Sequence, residues 1–400
     1  MSGENCSLRG FRFSAVAAGV KHPGTARLDV GLIVADAPCE LAGVTTTNIV
    51  AAAPVRITRE RLATGMCQAV LANSGNANAC TGEQGVWDAH VLMGAVADAL
   101  GINEGLIVPL STGVIGNPLP VERILTHIPP LIEGLDERRA TDVARAIMTT
   151  DTRPKLVKLQ QETSAGPFTI LGLAKGAGMI APNMATMLAV LLTDMRVPQR
   201  YLQDCLRDAV NVSFNRVTID GDTSTNDTAL LLAGGKDDAL RLPDSGRERQ
   251  IFADAVRSAC LDLARQLVLD GEGVTKAVEV RVVGAPNEES ARAVARTVAD
   301  SMLVKTAFHG EDPNWGRILA AAGRAGVIFN PDAVSLFIGS VPILKEGRLS
   351  GEDWESAARE VMKQTEFSIL LDLGAGGCEA TMLTTDLSEE YVGINADYRS

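Results

Sequence analysis

Aromatic residues make up only 4% of this 400-residue chain, and it has four histidines, His22, His90, His127 and His309. The histidines lie far apart in sequence and form no His-x-x-x-His pair. Chemistry that leans on imidazole or on a metal therefore has few candidates. The seven cysteines, Cys6, Cys39, Cys67, Cys80, Cys205, Cys260 and Cys378, are odd in number, and none sit at metal-knuckle spacing. That excludes a disulfide framework or a zinc ribbon, and most of them are expected to be small buried apolar residues. There is no basic run interleaved with aromatics, and the net charge is −12, which argues against a nucleic-acid or anionic-membrane partner. No stretch is a convincing membrane span, and MSGENCSLRGFRF at the start lacks an apolar signal core. The expectation is a soluble cytoplasmic protein.

What is present is a chain long enough for more than one domain, 46% hydrophobic and 22% charged, as in ordinary globular proteins. Small and β-branched residues must do the packing that aromatics do elsewhere, which suits close-packed layers of sheet and helix. The first 80 residues read as short strands and turns. The polar run Asn73 to Gly82, NSGNANACTG, is a loop with no periodicity, placed either to line a site or simply to cross the surface. Glu83 to Leu100 reads as a helix stopped by Gly101. Further helical patterns cover about 136–148, 197–212, 246–268 and 287–304. LVKLQQET, PFTILGLAKG and KAVEVRVVGA read as strands. The tail INADYRS has no stabilising pattern of its own. Strand and helix mix without a strict βαβ rhythm, so the fold class is α/β in mixed α+β layers.

The segment Lys175 to Leu188, KGAGMIAPNMATML, admits three readings. Gly176 to Ala181 fits the dinucleotide pattern G-x-G-x-x-A, with Asp194 near the position of a ribose-binding acid, which makes an NAD-dependent oxidoreductase the alternative function. Against it, Pro182-Asn183 falls where the helix should begin, and the next apolar run comes too soon for a crossover helix. A second reading is self-cleavage. The Thr186 hydroxyl attacks the carbonyl before it, in a segment that Gly176, Gly178 and Ala185 leave uncrowded. The resulting ester is hydrolysed, and the new α-amine, with a pKa near working pH, serves as base for its own hydroxyl. The third reading is a glycine-rich loop before a core strand.

This segment resembles the processing site of the ornithine acetyltransferase family, the glutamate N-acetyltransferases. The resemblance extends through NSGNANACTG, STGVIG, MTTDTRPK, TIDGDTSTNDT, DGEGVTK, VKTAFHGEDPNWGRI and NADYRS, in the family's order from about Asn73 to Ser400. It implies cleavage between Ala185 and Thr186, giving a light fragment 1–185 and a heavy fragment 186–400. Two copies of each would form a heterotetramer. It also implies an α/β/β/α sandwich built from both fragments, with a smaller domain in the C-terminal half. Thr186 would be the nucleophile, and Thr112 and Gly113 the oxyanion hole that stabilises each tetrahedral intermediate. Substrate contacts would come from Thr149, Lys175, Thr186, Glu272, Asn395 and Ser400. The implied reaction carries acetyl from N-acetylornithine to glutamate in ping-pong fashion, without cofactor or metal. Lys175 would pair with a carboxylate and Glu272 with an ammonium. Whether acetyl-CoA is also a donor is left open. A self-cutting aminopeptidase would leave the blocks around Glu272 and the tail unexplained.

Other clusters are weaker. His309, Glu311 and Asp312 are interrupted by Pro313 and read as a structural turn. Asp220, Asp222 and Asp227 lack the glutamate of a calcium loop and read as structural or pocket-shaping. Cys80 has no histidine near it in sequence and reads as buried packing.

Overall fold

The computed structural model describes residues 6–181 and 187–397. Its strands, in chain order, are β1 (Phe11–Val16), β2 (Val30–Thr45), β3 (Met66–Asn73), β4 (Ile107–Ser111), β5 (Lys155–Thr163), β6 (Gly166–Lys175), β7 (Leu188–Thr193), β8 (Val217–Thr218), β9 (Thr228–Ala233), β10 (Ala277–Ala285), β11 (Ser335–Ile338), β12 (Val341–Lys345), β13 (Arg348–Leu349), β14 (Glu366–Asp372) and β15 (Cys378–Thr385).

The first sheet runs β4-β3-β2-β9-β7-β6-β5, with β1 added against β2. Its strand β2 is 16 residues long, and its pairing to β3 is irregular between Val34 and Cys39. The first half of β2 pairs with β1, and the second half pairs with β9. One strand thus crosses between two layers. Period-two alternation sorts the side chains of each layer. Leu171, Leu173, Leu188, Val190, Leu192, Leu230 and Leu232 share one core with Ile33, Ala35, Val70, Ala72, Val108 and Leu110 from the other layer. Their neighbours Ile170, Ala189, Leu191, Ala229 and Leu231 point outward onto the helices Gln199–Val212 and Gly246–Val268. On the far side, Val30, Leu32, Ala69, Leu71 and Ile107 pack on the helix Gly82–Leu100. The result is the α/β/β/α sandwich implied by the resemblance.

A second sheet, β13-β12-β11-β14-β10-β15-β8, has its own apolar core with the helices Glu288–Ala299, Met302–His309, Trp315–Gly323 and Trp354–Met362. Two elements depart from the sequence reading. Residues Ala53–Thr64, in a stretch read as strands and turns, form a helix with proline in its first turn and Gly65 left-handed at its end. The tail forms a helix, Glu389–Asp397, with no buried residue.

Candidate active site

The candidate residues converge at one end of the sandwich. Thr112 and Gly113 directly follow β4, and Lys175 is the last residue of β6. Lys175 pairs in register with Leu188, the first residue of β7, which lies parallel to β9 from Thr228 onward. An open cleft of about 540 Å³ sits there. Its walls include Thr112, Gly113, Thr149, Lys175, Glu272 and Asn395, all anticipated from sequence. They also include Ala77, Ile115, Thr150, Met179, Ser224, Thr225 and Asn226, which were not. The only sequence-level signal for these is their membership of the blocks NSGNAN, STGVIG, MTTDT and TSTND and, for Met179, of the glycine-rich segment KGAGMIA. Ala185, Thr186 and Ser400 lie outside the described residues.

Lys175 is almost fully buried, and its Nζ donates to Thr149 Oγ1 at 2.9 Å and Thr112 Oγ1 at 3.4 Å. Burial lowers its pKa from the ordinary lysine value, and the nearby Asp151 carboxylate opposes that shift. Asp151 is itself buried, which would raise its pKa. The ammonium groups of Lys175 and Lys155, with the Gly176 N–H, overcome this and hold it at about 2. Lys155 Nζ donates to Asp151 Oδ1 at 2.6 Å and to Asp270 Oδ2 at 2.5 Å, while Thr152 Oγ1 also donates to Asp270. This dry network of two lysines and two aspartates holds the floor under Lys175. Buried charges persist only when paired in this way. Sequence reasoning missed Asp151, Lys155 and Asp270 as a unit because Asp270 lies 115 residues from Lys155 in the chain.

Gly113 has φ +130°, and a Cβ there would collide with the backbone at Gly75 and Asn76. Only glycine permits that close approach. Thr112 N–H donates to Asn73 O and Val114 N–H to Gly75 O; among the described residues no protein group accepts the Gly113 N–H. Gly113 itself lines the cleft. A Cβ at Gly178 would fall 2.2 Å from a Glu272 carboxylate oxygen, so the Glu272 side chain lies directly over this backbone. The asparagine-rich loop is tied by side-chain amides, one of its own and one from the TSTND block. Asn73 Nδ2 donates to Asn76 O, and Asn226 Nδ2 reaches Ala77 O and Ser111 O at 2.7 and 2.8 Å. The tail helix brings Asn395 Nδ2 to Glu272 Oε2 at 2.8 Å.

The TIDGDTSTND block braces both described ends of the glycine-rich segment. Asp220 accepts the Met179 and Ile180 N–H groups, and burial raises its pKa to about 6. Asp227 Oδ1 accepts the Met187 N–H at 3.0 Å. Its Oδ2 is buried with no hydrogen-bond partner among the described residues, and burial raises its pKa well above the ordinary 3.8.

The weaker clusters resolve in different ways. Among the described residues no group of three or more His, Cys, Asp or Glu could hold a metal ion. His309 instead hydrogen-bonds Asp386 at 2.7 Å and Glu389 at 3.2 Å. Cys80, expected to be buried, is exposed, because a left-handed turn (φ 57°) at the loop end puts it outside the packed layers. Ile180 and Ala181 are not helical, and the chain is already a strand at Leu188. A dinucleotide-binding crossover helix, which with its loops takes about a dozen residues, has no room there.

A family model described as the ArgJ family matches residues 12–400. The chain belongs to the ArgJ family. The arginine biosynthesis bifunctional protein ArgJ of Syntrophotalea carbinolica is 50% identical over 98% of this chain and 99% of its own length. That of Geobacter sulfurreducens is 48% identical over 98% and 100%. A solved chain of the Bacillus halodurans protein of the same name is 38% identical over 51% of this chain and 96% of that one, with a TM-score of 0.48. The family is thus that of the resemblance drawn from the motif blocks, and the oxidoreductase alternative falls away.

Proposed function

We infer that this chain is an acetyltransferase of arginine biosynthesis that moves acetyl from N-acetylornithine to glutamate through a covalent acetyl-threonine on Thr186. The observation that carries this reading is the convergence of Thr112, Gly113, Thr149, Lys175, Glu272 and Asn395 on one cleft, together with membership of a family whose curated members are named for arginine biosynthesis. Thr186 is the nucleophile, freed by cleavage after Ala185, and its own α-amine takes the hydroxyl proton. The acetyl carbonyl oxygen is received by the Gly113 N–H and the Thr112 hydroxyl, which Lys175 holds by hydrogen bond. Ornithine leaves, glutamate enters, and its amine attacks the acetyl-threonine through a second tetrahedral intermediate. Lys175 and Glu272 supply the opposite charges that an amino acid needs, with Asn395 and Ser400 closing the cleft from the tail.

The relatives' description as bifunctional supports a second donor, acetyl-CoA, loading the same threonine. The two fragments assemble in pairs, and the enzyme works in the cytoplasm; among the described residues no helix is long and apolar enough to cross a membrane. Intact mass with N-terminal sequencing tests the nucleophile. Two fragments are expected, the larger beginning Thr-Met-Leu-Ala, and Thr186→Ala should remain whole and inactive. A cut or active Thr186→Ala chain would sink the mechanism. Formation of N-acetylglutamate from acetyl-CoA without acetylornithine tests the second donor.

A further inference from the structure

The tail helix Glu389–Asp397 carries Asn395 to the wall of the acyl-transfer cleft, where its amide donates to Glu272. No residue of that helix is fully buried, so packing alone does not fix its position. Its first turn lies against the loop that bears Glu272. A Cβ at Gly273 would fall 2.5 Å from the Tyr391 nitrogen, and Ser388 Oγ donates to Gly273 O at 2.7 Å. How the first turn is held therefore decides where Asn395 stands, about one turn beyond Tyr391.

That first turn is tied to His309, the last residue of the helix Met302–His309. His309 Nδ1 lies 2.7 Å from Asp386 Oδ2, and Nε2 lies 3.2 Å from Glu389 Oε2. Carboxylates only accept, and a neutral imidazole has one N–H to give. Only the imidazolium donates to both at once. Asp386 is an ionised partner. Burial would raise its pKa, but donation from the Thr275 hydroxyl, the Lys276 and Thr275 N–H groups and His309 holds it below the ordinary 3.8. The hydrogen bond to Asp386 in turn raises the His309 pKa from 6.5, against the effect of partial burial, and the Glu389 carboxylate adds to the rise. Two lysines stand near Asp386. Lys305, one turn back on the His309 helix, directs its ammonium to Thr384 and Thr385, and Lys276 directs its own to Glu311 and the Lys363 carbonyl.

We propose that His309 is a positioning residue for the acyl-transfer reaction: as an imidazolium it clamps Glu389 at the start of the tail helix and so sets Asn395 against Glu272 at the cleft. The clamp is at full strength below pH 6.5 and fades as pH rises through the raised His309 value. A second tie has the opposite sign. Tyr391 OH donates to Asp220 Oδ2 at 3.3 Å, and Asp220, with its pKa of about 6, becomes the better acceptor as it ionises. A substitution at Glu389 acts on the first tie and leaves the second in place. The clamp acts on the tail whatever the substrate; its effect on KM rests on the acetylornithine-to-glutamate reading.

Two measurements on the purified, processed enzyme test this across about pH 5 to 9, which spans the histidine titration and its upward shift. Amide hydrogen exchange of residues 390–397, corrected for intrinsic rates, reports the tail directly. KM and kcat for N-acetylornithine report the consequence. In wild type, tail protection should fall as pH passes the His309 pKa, and KM should rise about two- to fivefold, the scale of a part-exposed ion pair. Glu389→Gln, at a side chain 94% exposed, should fold as wild type and lose that dependence, because a glutamine amide meets either form of imidazole. The Thr186 α-amine and Asp220 titrate in both enzymes and cancel in the ratio of variant to wild type. His309→Gln should show weak tail protection and the raised KM at every pH, with kcat unchanged. Parallel protection curves for wild type and Glu389→Gln overturn the clamp, and protection that responds while the KM ratio stays flat overturns the positioning role. A wild-type enzyme that passes no acetyl overturns the reaction reading instead, and tail protection still decides the clamp.

Discussion

The two sheets bury their strands differently. In the sandwich, β7 and β9 are buried at every position. In the second sheet, β10 buries Val278, Val280 and Val282 while Glu279 and Arg281 face solvent. A strand covered on both faces places the residues at its end in a dry setting, where a charge is strongly coupled to its neighbours. Lys175 and Asp227 sit at such ends, Asp151 is buried beside Lys175, and all three have perturbed pKa values. The second sheet keeps its open-face charges solvated, as in the Arg281–Glu379 pair, where both side chains are about half exposed. The chemistry lies where polar groups are buried against the ordinary pattern, and the second sheet follows that pattern.

Substitutions can break this contrast, and the largest effect is expected at Asp151. Asp151→Asn leaves Lys155 and Lys175 without their shared counter-charge, so unfolding in denaturant should show a loss of about 3–5 kcal/mol, with activity falling as well. Retained stability would mean that the floor of the site is not held by charge. Next comes Thr112→Val, which removes the hydroxyl proposed as an oxyanion donor. Here kcat should fall about 10²–10³-fold with little change in stability, and a change confined to KM would deny Thr112 that role.

The third expectation concerns pH. The Asp220 pKa lies at about 6 in the folded protein against an ordinary 3.8, so the folded state holds the extra proton between those values. Stability contributed by Asp220 therefore falls as pH rises through that window, and Asp220→Asn should flatten the decline relative to wild type. Asp151 works with the opposite sign. Its pKa of about 2 gives stability that is present above pH 3.8 and lost as pH falls toward 2. Parallel curves for wild type and Asp220→Asn would refute the first assignment.

Smaller still is Ile369→Val in the second sheet's core, expected to cost about 0.5–1.5 kcal/mol and to leave kcat/KM of the folded enzyme unchanged. At the bottom, Arg281→Ala should shift the unfolding midpoint by no more than experimental error, because an exposed ion pair is screened and held loosely. A large effect of either on kcat would show that the second sheet takes part in the chemistry.

Much of the local structure was legible where pattern and caps agree. The helix Gly246–Val268 starts where Ser245 accepts the Glu248 N–H, a signal written in Ser-x-x-Glu. KAVEVRVVGA read as a strand because its alternation is real burial on one face. The helix Ala53–Thr64 was missed because its short apolar run, AAAPVRIT, resembles the strands around it, and tertiary packing of Val55 and Ile57 decides its form. The tail helix was invisible for a different reason. It has no fully buried residue and is held from outside, by Tyr391 to Asp220, Asn395 to Glu272, and Glu389 to His309.

By itself, the sequence determined which residue types stand ready for acyl transfer, the period-two runs that become the sandwich, and the ordered blocks that mark the family. All of these are local, written within a few residues of one another. Only the tertiary structure decided that positions 112, 149, 175, 272 and 395 face one cleft, and that Asp151 and Lys155 sit beneath Lys175. Those juxtapositions follow from strand order and crossover, which bring distant segments to one end of the sheets. The charge states follow from desolvation there, a property of the packed interior.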